Sequence, residues 1–304
     1  MTGVELLETS PRDGLQNEAT HLSTDAKVEL VARAVAAGAK RVEVTSFVNP
    51  ARVPQLADAE AVLSRLPRGD GVRYAGLVAN DRGLDRAVAA GVHEVNVVVV
   101  ATETFCRANQ GVGTDEAVRT ANRLVDRAHA AGLRASVTVA AAFGCPFEGE
   151  VPAARVRDVV ARVASSGPDE VALADTIGVA VPADVAERIT LARAAAGPDA
   201  VLRLHLHDTR HTGVANAVAG YAAGVRVFDS SIGGAGGCPF APGATGNVAT
   251  EDLAYLFDRM GVSTGFDLTA LTGTVGWLEE RLAHTLPGAL ARSGGFPSGR
   301  ALRD

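Results

Sequence analysis

The chain has 304 residues, 47% of them hydrophobic, enough to bury one large core or two modest ones. Its 29 basic and 35 acidic residues give a formal charge of −6 without a basic tail or lysine-rich run, so the charge pattern offers no nucleic-acid footprint. Cys106, Cys145 and Cys238 lack C-x-x-C spacing, which speaks against a disulfide framework or zinc knuckle and for a reducing, cytoplasmic compartment. A leader pattern and an apolar run of eighteen residues are both missing, so neither secretion nor a membrane span is expected. Short apolar runs alternate with alanine-rich amphipathic segments along the chain. Strands are predicted near Val4–Leu7, Arg41–Thr45, Val72–Val78, Glu94–Val100, Arg134–Ala140, Glu170–Leu173, Val201–His207 and Val225–Asp229. Helical patterns such as Ser23–Ala37 and Asp115–Ala131 follow them. Ser23, Thr114 and Pro182 stand where helix caps or first turns belong, and Gly38, Gly91, Gly132 and Gly224 where helices should end. Eight such units predict an α/β fold, a closed (β/α)8 TIM barrel of about 250 residues, whereas a doubly wound sheet would leave strands surplus. We therefore expect a single catalytic domain over residues 1–286, followed by an irregular extension or disordered tail over 287–304, where periodicity is lost.

In such a barrel the reactive groups gather at the C-terminal ends of the strands. The seventh strand carries His205 and His207 two residues apart, which places both imidazoles on one face. That pair fits either a metal site or a hydrogen-bonded barrel rim. The first strand runs into Arg12, Asp13 and Gln16, the second carries Glu43, the sixth ends at Asp175, and the eighth leads into a glycine loop bearing Cys238 and then Asn247. Asp13, His205, His207 and Asn247 would give a hard divalent cation, Mg2+ or Mn2+, a mixed oxygen and nitrogen ligand set with positions left open for substrate. Arg12 could instead simply pair with Glu43 or Asp175. Cys238 sits among glycines and beside a proline, a poor setting for a packing residue and a good one for a moving lid.

Ser10–Glu18, Glu43–Val48, Phe143–Gly149, Asp175–Gly178, His205–Thr209 and Gly233–Pro239 together closely resemble the hydroxymethylglutaryl-CoA lyase family, from the first strand to about residue 265. The wider group includes isopropylmalate and homocitrate synthases, whose extra C-terminal regions have no counterpart here, which favours the lyase branch. The resemblance implies cleavage of 3-hydroxy-3-methylglutaryl-CoA, or a related branched 3-hydroxyacyl-CoA, to acetyl-CoA and acetoacetate or another keto acid. By matching positions, Asp13, His205, His207 and Asn247 would bind the metal, Arg12 would neutralise the enolate oxygen, and Cys238 would protonate the carbanion. Glu43, Asp175 and His205 remain open as the base that takes the hydroxyl proton. Gln16, Arg52, Arg107, Asn109 and Arg210 are candidate contacts to the acyl-CoA thioester, and a homodimer is implied. Where the family pattern usually continues Tyr-Gly-Gln, this chain has Arg210, His211 and Thr212; it also has Ala174 where glycine is usual and Ala19 where lysine is common. These departures predict an acyl pocket that differs from the standard one. An aldolase or Claisen-type synthase on the same barrel is the alternative, and a non-catalytic CoA-ester-binding barrel ranks below it.

Overall fold

The computed structural model describes residues 3–69, 71–237 and 246–297. Its strands are β1 (Glu5–Glu8), β2 (Arg41–Ser46), β3 (Arg73–Val78), β4 (Glu94–Val100), β5 (Arg134–Ala140), β6 (Gly144–Cys145), β7 (Gly149–Glu150), β8 (Glu170–Asp175), β9 (Leu202–Leu206) and β10 (Val227–Ser230). Eight of them close a parallel barrel in the order β1-β10-β9-β8-β5-β4-β3-β2, while β6 and β7 form a small antiparallel hairpin after β5. A parallel barrel covered by helices is buried on both faces, which is why β2 and β8 are buried at every position. The (β/α)8 expectation from the alternating pattern therefore holds.

Helix ends follow the local chemistry. The Ser23 hydroxyl accepts from the Ala26 N–H, Pro182 opens its helix, and Gly38, Gly91, Gly132 and Gly224 all adopt positive φ where chains leave their helices. Strand ends shift by one or two residues from the sequence reading, and one shift bears on the site: β9 stops at Leu206, and His207 forms an isolated bridge with Asn247 as residues 246–249 return to the barrel top. Among the described residues no helix is long and apolar enough to cross a membrane.

Inside the lower barrel the usual branched side chains give way to charge. Arg41 bonds Glu94 and Glu170, and Arg203 lies 3.2 Å from Glu170 and 3.3 Å from Asp229, all of them buried. Above them, β10 leads into the glycine segment 231–237. Gly288 donates to the Gly233 carbonyl at 2.8 Å and Leu286 packs on Gly233, so the last residue of the expected barrel domain and the start of the predicted C-terminal extension brace the base of this segment. A short helix, Leu290–Ser293, follows, and residues 298–304 lie outside the described residues.

Glu251 is fully buried at the same base and accepts the Gly233 N–H at 3.0 Å. Burial pushes its carboxyl up to about 8 from an ordinary 4.5. Because the folded state holds this proton more tightly, its contribution is complete below pH 4.5 and is lost as pH rises through about 8. Glu251→Gln is expected to remove that loss. Thermal melts at acid and alkaline pH should show a smaller fall in Tm for the variant than for the parent, and equal falls would refute the assignment.

Candidate active site

The site begins with one turn. After β1 the chain makes a π-helical turn, Ser10–Gly14, in which the N–H groups of Arg12, Asp13 and Gly14 all point at the Thr9 carbonyl. Buried Glu8 accepts from the N–H groups of Ser10 and Ile232 and from the Thr250 hydroxyl. It thereby ties this turn to the glycine segment. The turn projects Arg12 and Asp13 over the barrel mouth, where the Arg12 Nε donates to Glu43 at 2.6 Å and its Nη1 pairs with Asp13.

Three strand ends meet there. His205 Nε2 and His207 Nε2 lie 3.1 Å apart, and Asp13 Oδ2 lies 3.8 Å from the first and 4.0 Å from the second. Asn247 donates to Asp13 at 2.8 Å, while its own Oδ1 is buried without a partner among the described residues. A magnesium-sized cation holds its ligands at about 2.1 Å, so neighbouring ligands stand about 3 Å apart. The histidine pair already has that spacing, and the orphaned Asn247 oxygen is a further donor of the right kind. The donor set thus fits a hard divalent cation. Asp13, His205 and His207 form the one candidate metal cluster among the described residues.

Electrostatics suit that purpose. Burial opposes ionisation of Asp13, but Arg12 and the two histidines hold its carboxyl well below the ordinary carboxylate range. Burial, helped by His205, pushes His207 down to about 4, leaving a neutral imidazole with a free lone pair. Burial also disfavours a charged His205, yet the hydrogen bond and charge of Asp229 outweigh it and raise the imidazole.

A cavity of about 950 Å³ opens above these groups and runs outward along β2 to β5. Gln16, Arg52 and Asn109 line it, together with Arg12, Asp13, His205 and His207. The remaining sequence candidates stand elsewhere. Asp175 is buried, with its two oxygens accepting the Val179 and Ala180 N–H groups, and burial raises its carboxyl. Arg107 is 65% exposed and pairs with Glu103. Arg210 donates to the Ile177 and Gly178 carbonyls, and His211 takes a positive φ with its ring in solvent, so neither is part of the cavity wall. Of the departures from the family pattern, Ala174 does line the cavity. Cys238 lies outside the described residues.

Sequence reasoning missed Asn96 and Asp229. Asn96 donates to Glu43 at 3.1 Å and accepts from Thr138 at 2.9 Å; Asp229 bonds His205 Nδ1 at 3.0 Å. The available signal was polar residues at period two within apolar strands, as in Glu94 and Asn96, Ser136 and Thr138, or Arg203 and His205.

The family model described as HMGL-like matches residues 3–276. The (R)-citramalyl-CoA lyase of Chloroflexus aurantiacus is 43% identical over 306 residues, 97% of this chain and 96% of its own length. The hydroxymethylglutaryl-CoA lyase of Pseudomonas mevalonii is 43% identical over 89% of this chain and 90% of its own. Among solved structures, the HMG-CoA lyase of Acinetobacter baumannii in complex with coenzyme A and 3-methylmalate superposes with a TM-score of 0.93, at 37% identity, covering 99% of this chain and 98% of that one. With this match over nearly its whole length, the chain belongs to the HMGL-like family and is a carbon–carbon lyase.

Proposed function

We propose that this protein cleaves a CoA thioester of a 3-hydroxy-3-methyl dicarboxylic acid, releasing acetyl-CoA and a keto acid. The observation that carries this reading is the buried Asp13, His205 and His207 cluster beside the Arg12 and Glu43 ion pair, at the floor of a cavity large enough for an elongated thioester. The two named relatives point to 3-hydroxy-3-methylglutaryl-CoA and citramalyl-CoA, which share a tertiary hydroxyl β to the thioester and differ by one methylene.

Asp13, His205 and His207 would hold Mg2+ or Mn2+, with Asn247 Oδ1 as a further donor. When bound, the cation supplies Lewis acidity to the substrate hydroxyl and its neighbouring oxygen. The chain's own groups do the rest. As the C3 hydroxyl gives its proton to one of the candidate bases, Glu43, Asp175 or His205, C3 becomes a ketone and the C2–C3 electron pair passes into the thioester, making an enolate. Arg12, fixed in place by Glu43, faces the developing negative charge. Glu43 is in turn held by Asn96, so the guanidinium does not have to reorganise during the reaction. Cys238, whose segment starts where Asn17 Nδ2 grips the Gly237 carbonyl at 2.8 Å, would deliver a proton to C2 and complete acetyl-CoA.

The test is product release by metal-stripped protein, with and without Mg2+ or Mn2+, offered each thioester in turn. Metal-dependent appearance of acetyl-CoA with acetoacetate or pyruvate is expected. Folded, metal-loaded protein that releases acetyl-CoA from neither thioester would sink the reading.

A further inference from the structure

Of the groups around the candidate metal cluster, Asp229 has no part in the chemistry described so far, and its surroundings are unusual. Two buried guanidinium groups in the barrel interior, Arg41 and Arg203, face three buried carboxylates, Glu94, Glu170 and Asp229. Arg41 is shared by Glu94 and Glu170, and Arg203 also reaches Glu170. Charge balance within this column needs two carboxylates. The third, Asp229, stands at its top and directs Oδ2 at His205 Nδ1, 3.0 Å away.

We infer that Asp229 is a positioning residue that fixes His205 in its Nδ1–H tautomer and so presents the Nε2 lone pair to the metal. The inference rests on the metal-binding reading above. A carboxylate accepts hydrogen bonds and donates none, so a neutral His205 facing Asp229 must carry its proton on Nδ1. Nε2, the atom 3.1 Å from His207 Nε2 and 3.8 Å from Asp13, is then free to ligate. Below it the Arg203 Nε lies 3.3 Å from Asp229 Oδ1, an ion-pair contact without a hydrogen bond whose charge attracts that oxygen and leaves Oδ2 to the ring.

Asp229→Asn is the informative change because it keeps shape and removes the column's surplus charge. The Arg203 guanidinium would draw the new amide oxygen toward itself, turning the NH2 group toward His205 Nδ1. That donor favours the Nε2–H tautomer, which cannot ligate. Removing an outer partner of a metal-bound histidine typically weakens binding by roughly 10–100-fold.

Mn2+ binding to metal-stripped protein is measured by titration calorimetry for the parent and for D229N, alongside the Tm of both metal-free proteins. A dissociation constant at least tenfold weaker, with the metal-free Tm within a few degrees, is the expected result. Parent-like Mn2+ affinity in folded D229N would overturn the inference while leaving the metal reading intact. A parent that binds no Mn2+ would overturn both. Should D229N fail to fold, the parent still decides: in metal-free protein labelled with 15N-histidine, at a pH where the imidazole is neutral, His205 must show a proton on Nδ1 and none on Nε2. A proton on Nε2 refutes the assignment.

Discussion

Arg12→Gln is expected to lower kcat by about 10²–10³, the usual loss when a preorganised group facing a developing oxyanion is removed. The side chain is buried, bonded to Glu43 on one side and Asp13 on the other, so its position is set before substrate arrives. Its two acidic neighbours hold the guanidinium charged across the accessible pH range, even against the cost of burial. Metal affinity should move in the opposite direction. With the adjacent cation gone, the Asp13 carboxylate meets a bound divalent ion without competition, and Mn2+ should bind R12Q as tightly as the parent or more tightly. Steady-state kinetics with saturating metal, paired with Mn2+ titration, separates the two effects. A kcat within threefold of the parent would remove Arg12 from the chemistry, and a large loss of Mn2+ affinity would mean that the substitution had disrupted the turn instead.

That turn shows what a sequence does and does not display. Arg12 and Asp13 were recognisable because the barrel pattern says that the residues after β1 face the mouth, and His205 and His207 because strand alternation puts both on one side. The positions of Arg210 and His211 were not readable. Four and five residues beyond a strand end the chain is free to turn, and the positive φ of His211 carries it away from the cavity while Arg210 folds back onto the Ile177 and Gly178 carbonyls. Arg107 and Asn109 share one helix, yet two residues turn its face by about 200°, so Asn109 lines the cavity and Arg107 pairs with Glu103 outside it. Asn96 and Asp229 were hidden for another reason. A polar side chain in an apolar strand reveals its direction only once the register of its neighbours is known, and here Asp229 pairs with His205 across β10 and β9.

The charged barrel interior bears on stability. Arg41→Met is expected to cost about 3–5 kcal/mol, because removing one partner of a buried ionic cluster leaves the other charges without compensation. Arg41 is 1% exposed and donates to Glu94 and to Glu170, each of which is itself buried. Glu170 keeps Arg203 at 3.2 Å, so Glu94 is the carboxylate stranded by the change. At about 2–4 °C per kcal/mol for a chain of somewhat smaller size, Tm should fall by about 10 °C. The double variant Arg41→Met with Glu94→Met removes the stranded charge as well, and replacing an entire buried pair by apolar groups of similar volume is often nearly neutral. It should therefore recover at least half of the lost Tm. A double variant no more stable than R41M would show that packing rather than charge sets the cost. Recovery would show that Arg41 and Glu94 are members of a compensated set, in which the cost of losing one is the uncompensated charge of the other.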